Sequence, residues 1–164
     1  DASVLQTEQQ RLRERLALEQ GRLTLATGQG DMGQARRLVA GLALHEGLMQ
    51  AWLIEEDGRI AAALSRAEIG RRLSTVLIAL PPAERDALMS LQQAGPSELQ
   101  LRTTNGPGQA RLLFGAVGVE PARLLLVRVD IGRGHLIKMT RKAALEYVAS
   151  HPGSSIPGDS PPPG

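Results

Sequence analysis

Three apolar runs in the second half of the chain are joined by connections too short for a crossover. The runs cover residues 97–103, 110–119 and 122–131, and six and two residues separate them. Parallel strands need a crossover of about a dozen residues or more, whereas antiparallel strands can follow each other through a tight turn. The sequence therefore predicts an antiparallel three-stranded meander in this region.

A further hairpin is predicted earlier in the chain, in the stretch WLIEEDGRIAAALS. Its strands are expected at about 50–55 and 59–65, with a turn at 56–58 between them. The dipeptide Asp57-Gly58 favours this turn because glycine supplies the positive φ that a tight connection needs. Together with the meander, the hairpin brings the predicted number of strands to five.

Helical periodicity accounts for most of the remaining chain. A long amphipathic helix is predicted over 3–27, where Leu5, Leu12 and Leu16 follow a spacing of seven and then four residues that puts them on one stripe. This stripe could face either its own domain or a second copy of the chain. Capping residues predict further helices at 32–45 between Asp31 and Gly47, after Ser65, and from Pro82 to near Gly95. An amphipathic pattern predicts a last helix over 135–149.

This order of elements predicts an α+β fold, in which helices flank one five-stranded antiparallel sheet. The chain of 164 residues is long enough for one compact domain and too short for two ordinary ones. We expect an N-terminal amphipathic helix over 1–27 and a core domain with its C-terminal helix over 28–150. The last segment, 151–164, is rich in Pro, Gly and Ser and is expected to be a tail.

The composition argues against catalysis. The chain has no cysteine, which excludes disulfides and thiolate metal sites, and its three histidines are not spaced as a metal-binding pair. The segment GQGDMG has the spacing of a dinucleotide fingerprint, but it lies between two predicted helices instead of after a strand. Glu55, Glu56 and Asp57 lack the pattern of a calcium loop and are interpreted as a charged turn. We expect no enzymatic activity, no cofactor and no metal.

Charge and hydropathy also limit the partners of the chain. The net charge is only +2 without a block of like charge, and the chain has one Trp, one Tyr and one Phe, so we expect no nucleic-acid binding. No run reaches the roughly 18 apolar residues of a membrane span. The chain starts at Asp1 within a helical pattern. We therefore expect a piece of a longer protein, with any membrane segments outside this chain.

Residues 31–73, DMGQARRLVAGLALHEGLMQAWLIEEDGRIAAALSRAEIGRRL, resemble the Cache domains, which are PDC-type, PAS-like sensors outside the cytoplasmic membrane of bacteria. The matching features are a helix, a strand that ends in an acidic turn before Gly58, a strand of small residues that ends near Ser65, and the segment IGRRL at 69–73. The order of elements extends this resemblance over roughly 2–149. It implies a PAS-like fold in a transmembrane receptor such as a histidine kinase, a diguanylate cyclase or a chemoreceptor.

The same resemblance implies a small-molecule pocket on one face of the sheet, and a homodimer that relays binding through its terminal helices. Strand alternation puts Trp52 and Ile54 on one face, and Leu112 and Phe114 on one face of a later strand. A charged ligand would need a guanidinium group. The candidate ligand-binding residues are therefore Trp52, Ile54, Arg66, Arg72, Arg111, Phe114 and Arg128.

Two alternatives remain open from the sequence. Trp52 could be a plain core residue, and Arg128 could lie on an open face of the sheet. The domain could also work only as a dimerisation spacer without a ligand. The second alternative is a different family, because roadblock-type regulators of small GTPases, which act as intracellular adaptors, share much of this order and the strand, Asp-Gly, strand hairpin. They lack the long N-terminal helix and the IGRRL segment.

Overall fold

A computed structural model describes residues 2–94, 98–105, 111–132, 142–146 and 148–149. Most of the loop at 104–109, much of the predicted helix at 135–149 and the whole tail at 151–164 lie outside these residues. Within the described part of the predicted last helix, residues 142–146 and 148–149 are helical.

Five strands form one antiparallel sheet in the order β2-β1-β5-β4-β3. This is the PAS-like α+β sheet that the sequence predicts, with the hairpin β1-β2 at one end and the meander β3-β4-β5 completing it. The strands are β1 Leu48–Ile54, β2 Ile60–Ala63, β3 Gln100–Asn105, β4 Arg111–Val119 and β5 Arg123–Asp130.

Helices cover both faces of the sheet. The first face packs against two helices, and the second face packs against two others, so that each face has its own apolar cluster. The first pair is α1 Ala2–Gly28 and α2 Met32–Gly41, and the second pair is α3 Leu73–Leu77 and α4 Pro82–Gln93. Two short 3-10 helices, η1 Leu42–Leu44 and η2 Arg66–Glu68, follow α2 and β2.

The hairpin turn closes as the Asp-Gly pair predicts. The backbone N–H of Glu55 donates to the carbonyl of Arg59 at 2.8 Å, and Gly58 adopts a φ of +89°. The carboxylate of Asp57 accepts from the backbone N–H of Arg59 at 3.0 Å. The acidic turn therefore has a geometric role in joining β1 to β2.

The segment after β2 differs from the prediction of a helix capped by Ser65. Only the 3-10 turn η2 follows Ser65, whose side chain makes no capping bond, and the α-helix begins later at Leu73. The reason is that the chain continues the sheet edge: Gly70 donates to the carbonyl of Ile60 at 2.8 Å, and Ile60 donates to the carbonyl of Arg71 at 2.9 Å. These bonds hold residues 70–72 beside β2 and keep them out of a helix.

The long helix α1 belongs to the core of the domain. Leu12, Leu16 and Leu23 are fully buried in the cluster between α1, α2 and the sheet, and Leu5 packs against that cluster. A Cβ atom at Gly115 of β4 would lie 2.7 Å from Leu16 Cδ1, so α1 approaches the sheet closely at this glycine. The leucine stripe therefore faces its own domain, and it is not available to a second copy.

Gly47 lies at the start of β1 with a φ of +83°, as expected for the residue that ends the preceding helical segment. That segment is shorter in its α-helical part than predicted, because α2 ends at Gly41 and η1 completes it. A Cβ atom at Gly47 would lie only 2.6 Å from the carbonyl oxygen of Asp130. Glycine is thus required at this position both by its φ and by the closeness of β5.

We expect Gly47→Ala to lower the free energy of unfolding by about 3 kcal/mol, because it adds a steric clash to the cost of a left-handed backbone. Gly70→Ala is the matched control, since Gly70 has a φ of +88° and a Cβ atom added there would meet no atom within 4 Å. The control should cost about 1–2 kcal/mol. Urea denaturation of both variants measures the difference, and equal losses would contradict the close approach of Asp130.

Candidate functional site

Three of the predicted ligand-binding residues lie together beneath α3 and α4. Trp52, Ile54 and Phe114 face these helices from β1 and β4, and each is at most 2% exposed. The apolar cluster around them is filled by leucines from α3, α4 and β5. On this face of the sheet the three residues belong to a packed core, and of the three only Ile54 also borders a cavity, at the edge of the face.

Arg128 also lies on this face, and its charge is already paired. β5 places it opposite Phe114, where its guanidinium group donates to the carboxylate of Glu84 in α4 at 2.6 Å. The Glu84 side chain is 2% exposed and that of Arg128 is 16% exposed. The interpretation of Arg128 on an open face is therefore wrong, because α4 covers that part of the sheet.

Trp52 has a polar partner at the edge of the same core. Its indole Nε1 donates to Oε1 of Glu68 at 3.1 Å, and Glu68 is the last residue of η2. The sequence analysis missed both Glu68 and Glu84. The position of Glu84 in the first turn of α4 is a common place for an acidic residue, because it is favourable with the helix dipole. Neither carboxylate carries a local signal for its distant partner.

The other candidate arginines are dispersed over the surface. Arg72 precedes α3 and donates to the carbonyl of Asp57 at 3.4 Å, which links it to the hairpin turn. Arg111 begins β4 opposite Asn105 and is exposed. Arg66 lies in η2 and is exposed. The structure therefore does not bring the seven candidates into one site.

Arg66 instead contributes to a cleft that we call the arginine cleft. This cavity of about 580 Å³ lies between α2, the end of β2 and η2. Two further arginines, Arg36 and Arg37, reach it from α2, and Ala63, Leu64 and Ile69 contribute apolar surface. Sequence analysis did not select Arg36 or Arg37, because charged residues on one face of an amphipathic helix ordinarily face solvent.

A second cavity of about 480 Å³ opens at the edge of the face covered by α4. Its apolar wall includes Ile54 and Leu124, and Glu55, Glu56 and Gln92 contribute polar surface. Glu55 is engaged by Arg123, whose Nε lies 3.0 Å from its Oε1. The lining of this cavity includes one of the predicted ligand-binding residues, Ile54.

A group of charged residues joins α1 to the end of α2. Arg15 of α1 donates to the carbonyl of Gly41 at 3.4 Å and lies 3.3 Å from the carboxylate of Glu19. Glu19 is 1% exposed within the apolar stripe of α1, and Arg22 is its second cationic partner at 3.4 Å. These polar contacts connect α2, which forms one wall of the arginine cleft, to the long helix.

His45 lies at the same junction. Burial lowers the pKa of His45 below its ordinary value of 6.5, Arg11 and Arg15 also lower it, and Glu8 and Glu46 oppose this shift. Because the unfolded chain binds a proton more readily than folded His45, the domain should lose stability as the pH falls below about 6.5.

We therefore expect His45→Gln to reduce the fall in melting temperature between about pH 7.5 and pH 5.5, relative to the unchanged chain. Thermal unfolding followed by circular dichroism at both pH values measures this difference. Carboxylates titrate in both proteins and provide a common background. An identical fall in the two proteins would show that His45 does not carry a lowered pKa.

Within the described ranges, no helix is long and apolar enough to cross a bilayer. No three His, Asp or Glu side chains in that part of the chain are grouped to hold a metal ion.

Comparison with known proteins shows similarity to solved structures. No family model matches the chain, and no curated protein matches it. Among solved structures, the chain is similar to the sensor domain of the histidine kinase DctB from V. cholerae, with a TM-score of 0.40 and 16% sequence identity. The similarity covers 72% of this chain and 45% of that structure, so the chain spans less than half of the length of the protein it matches.

Proposed function

We propose that this chain is the ligand-sensing part of a bacterial transmembrane receptor, and that it lies outside the cytoplasm. The observation that carries the proposal is the way in which α1 is built into the domain. Leu12, Leu16 and Leu23 bury one stripe of a helix of 27 residues, which is about 40 Å long. A change in the position of the sheet or of α2 would therefore alter the packing of this long helix.

The proposed mechanism is a shift between two arrangements of α1 relative to the sheet. A ligand can shift such a balance only by the difference in its affinity for the two arrangements. α2 is suited to transmit this difference, because it lines the arginine cleft and also receives Arg15 of α1 at its Gly41 carbonyl. Binding at the cleft would then change the arrangement of α1, although the ligand does not contact that helix.

We also propose that the receptor works as a homodimer. Since the buried stripe of α1 is used within the chain, pairing through α1 would use the opposite side of this helix. Leu18 and Leu25 are 48% and 63% exposed there, seven residues apart. Attachment of both copies to a membrane would raise their effective concentration and favour this contact.

A thermal-shift screen of organic acids, amines and sugars tests the sensing role. We expect at least one chemical class to raise the melting temperature in a concentration-dependent way, because a ligand that binds the folded chain stabilises it. The emission of Trp52, the single tryptophan, provides a second readout. If no class has an effect, the domain is a dimerisation spacer and the sensing proposal is wrong.

Two observations separate the receptor proposal from that of a roadblock-type adaptor: binding of a small GTPase, and the sequence that flanks this domain in its parent protein. Such an adaptor would bind a small GTPase, and we expect no such binding here. The parent reading frame should contain apolar spans of about 20 residues next to this domain. A parent without such spans, together with GTPase binding, would favour the adaptor.

A further inference from the structure

The arginine cleft has the composition of an anion-binding site. Its lining includes Arg36, Arg37 and Arg66, and no carboxylate is among the described residues that line it. We propose that this cleft binds a small oxyanion with at least two negative charges, either a di- or tricarboxylate or a phosphate compound. Guanidinium groups bind both chemistries through paired N–H groups, so both share the same recognition.

Two of the three guanidinium groups are held in position by neutral partners. Arg36 Nε donates to the carbonyl of Ala61 in β2 at 3.4 Å, and Arg37 Nε donates to the side-chain oxygen of Gln34 at 3.0 Å. Neither contact neutralises the positive charge. Across the described residues, none of Arg36, Arg37 and Arg66 forms an ion pair, which leaves three positive charges around one cavity.

Other arginines of the chain have carboxylate partners. Arg128 lies 2.6 Å from Glu84, and Arg123 lies 3.0 Å from Glu55. The arginines of the cleft are exposed, so they carry no desolvation cost until a ligand covers them. A bound anion would supply the partner that neighbouring side chains do not, and part of their mutual repulsion would be relieved at the same time.

The shape of the cleft favours a small organic anion. Its volume of about 580 Å³ lies within the range of small-molecule sites, roughly 300–1,000 Å³. Ala40, Leu64 and Ile69 provide apolar surface between the charged groups, which suits the carbon skeleton of a carboxylate or of an organic phosphate. Its walls come from α2 and from the edge strand β2, both of which are fixed elements of the fold.

The cleft is connected to the single tryptophan through η2. Arg66 and Ile69 line the cleft, while Glu68 between them accepts from Trp52 Nε1 at 3.1 Å. A ligand that draws Arg66 inward would disturb this bond in the core. Anion binding should therefore change the emission of Trp52, although the indole is fully buried and does not touch the ligand.

The test is titration of the whole chain at constant ionic strength, with chloride as the balancing anion. The probes are inorganic phosphate, succinate and citrate, and binding is followed by calorimetry and by Trp52 emission. We expect saturable binding of at least one probe. A response to phosphate alone assigns the site to phosphate compounds, and a response to succinate or citrate alone assigns it to carboxylates.

The variants Arg66→Gln and Arg36→Gln should weaken binding by about tenfold each, because each removes a charge-assisted contact. Arg13→Gln is the control, since it removes the same charge from the exposed side of α1, outside the cleft. Its affinity should stay within about twofold of the unchanged chain. The proposal is overturned if none of the three probes binds, or if Arg66→Gln and Arg13→Gln have equal affinity.

The claim that this anion is also the signal rests on the proposed sensing role, and the two can fail separately. Binding that is lost in Arg66→Gln, with no change in the output of the parent receptor, leaves the anion site in place and removes the sensing role. If the output of the parent receptor responds to other compounds and the chain binds no anion, the sensing role stands and the anion site is wrong.

Discussion

Arg128→Met is expected to lower the free energy of unfolding by about 3 kcal/mol or more. The substitution keeps the aliphatic bulk of the side chain but removes the cation that faces Glu84. The carboxylate of Glu84 would then remain beneath α4 with its side chain only 2% exposed. An unpaired charge in such a place is far more costly than the net contribution of the pair itself.

A matched control separates this effect from the general loss of an arginine. Arg123→Met breaks the pair with Glu55, in which the side chains are 22% and 36% exposed, and it should cost at most about 1 kcal/mol. The double variant Glu84→Leu with Arg128→Met should recover most of the stability, because no buried charge remains. Urea denaturation gives all three values. Equal losses for the two single methionine variants would contradict the burial of the Arg128–Glu84 pair.

Leu16→Ala is expected to cost about 3 kcal/mol, because it leaves a cavity in the contact between α1 and β4. Leu16 is fully buried, and its Cδ1 would lie 2.7 Å from a Cβ atom at Gly115. Gly115→Ala alone should cost about 1–3 kcal/mol through overpacking. The double variant should cost less than the sum, since the shorter side chain at position 16 makes room for the new methyl group.

Leu18→Ala is the control for this cycle. It makes the same chemical change on the outer side of α1, where the leucine is 48% exposed, and its cost should stay below about 1 kcal/mol. Denaturation of the unchanged chain, the two single variants and the double variant measures the coupling between positions 16 and 115. If Leu16→Ala is as mild as Leu18→Ala, or if the two changes at positions 16 and 115 are strictly additive, α1 does not pack on the sheet as described.

The fold follows from features that are local in the sequence. Short connections between the apolar runs required antiparallel neighbours, and Asp57-Gly58 gave the turn of the hairpin. The stripe that contains Leu12 and Leu16 predicted an amphipathic α1, although the pattern alone did not decide what that stripe faces. Packing against Gly115 decides it, and this contact joins residues about 100 positions apart.

The candidate site was harder to predict because its contacts are distant in sequence. Strand alternation places Trp52 and Phe114 on one face, but it does not tell whether a helix fills that face. Glu84 and Arg128 are 44 residues apart, and each resembles an ordinary surface charge in its own segment. The arginine cleft was missed for the same reason, because Arg36 and Arg66 line one cavity only through the position of α2 beside the end of β2.

Hydrogen–deuterium exchange tests the central claim, that the chain is a sensor in which ligand binding is transmitted to α1. The chain would be compared with and without a saturating amount of the compound that most raises its melting temperature. We predict altered protection of backbone amides in α1, over about residues 11–23, in addition to changes at the binding site. Leu16→Ala should reduce the distant change while leaving binding measurable. Changes confined to the residues that contact the compound would contradict the account.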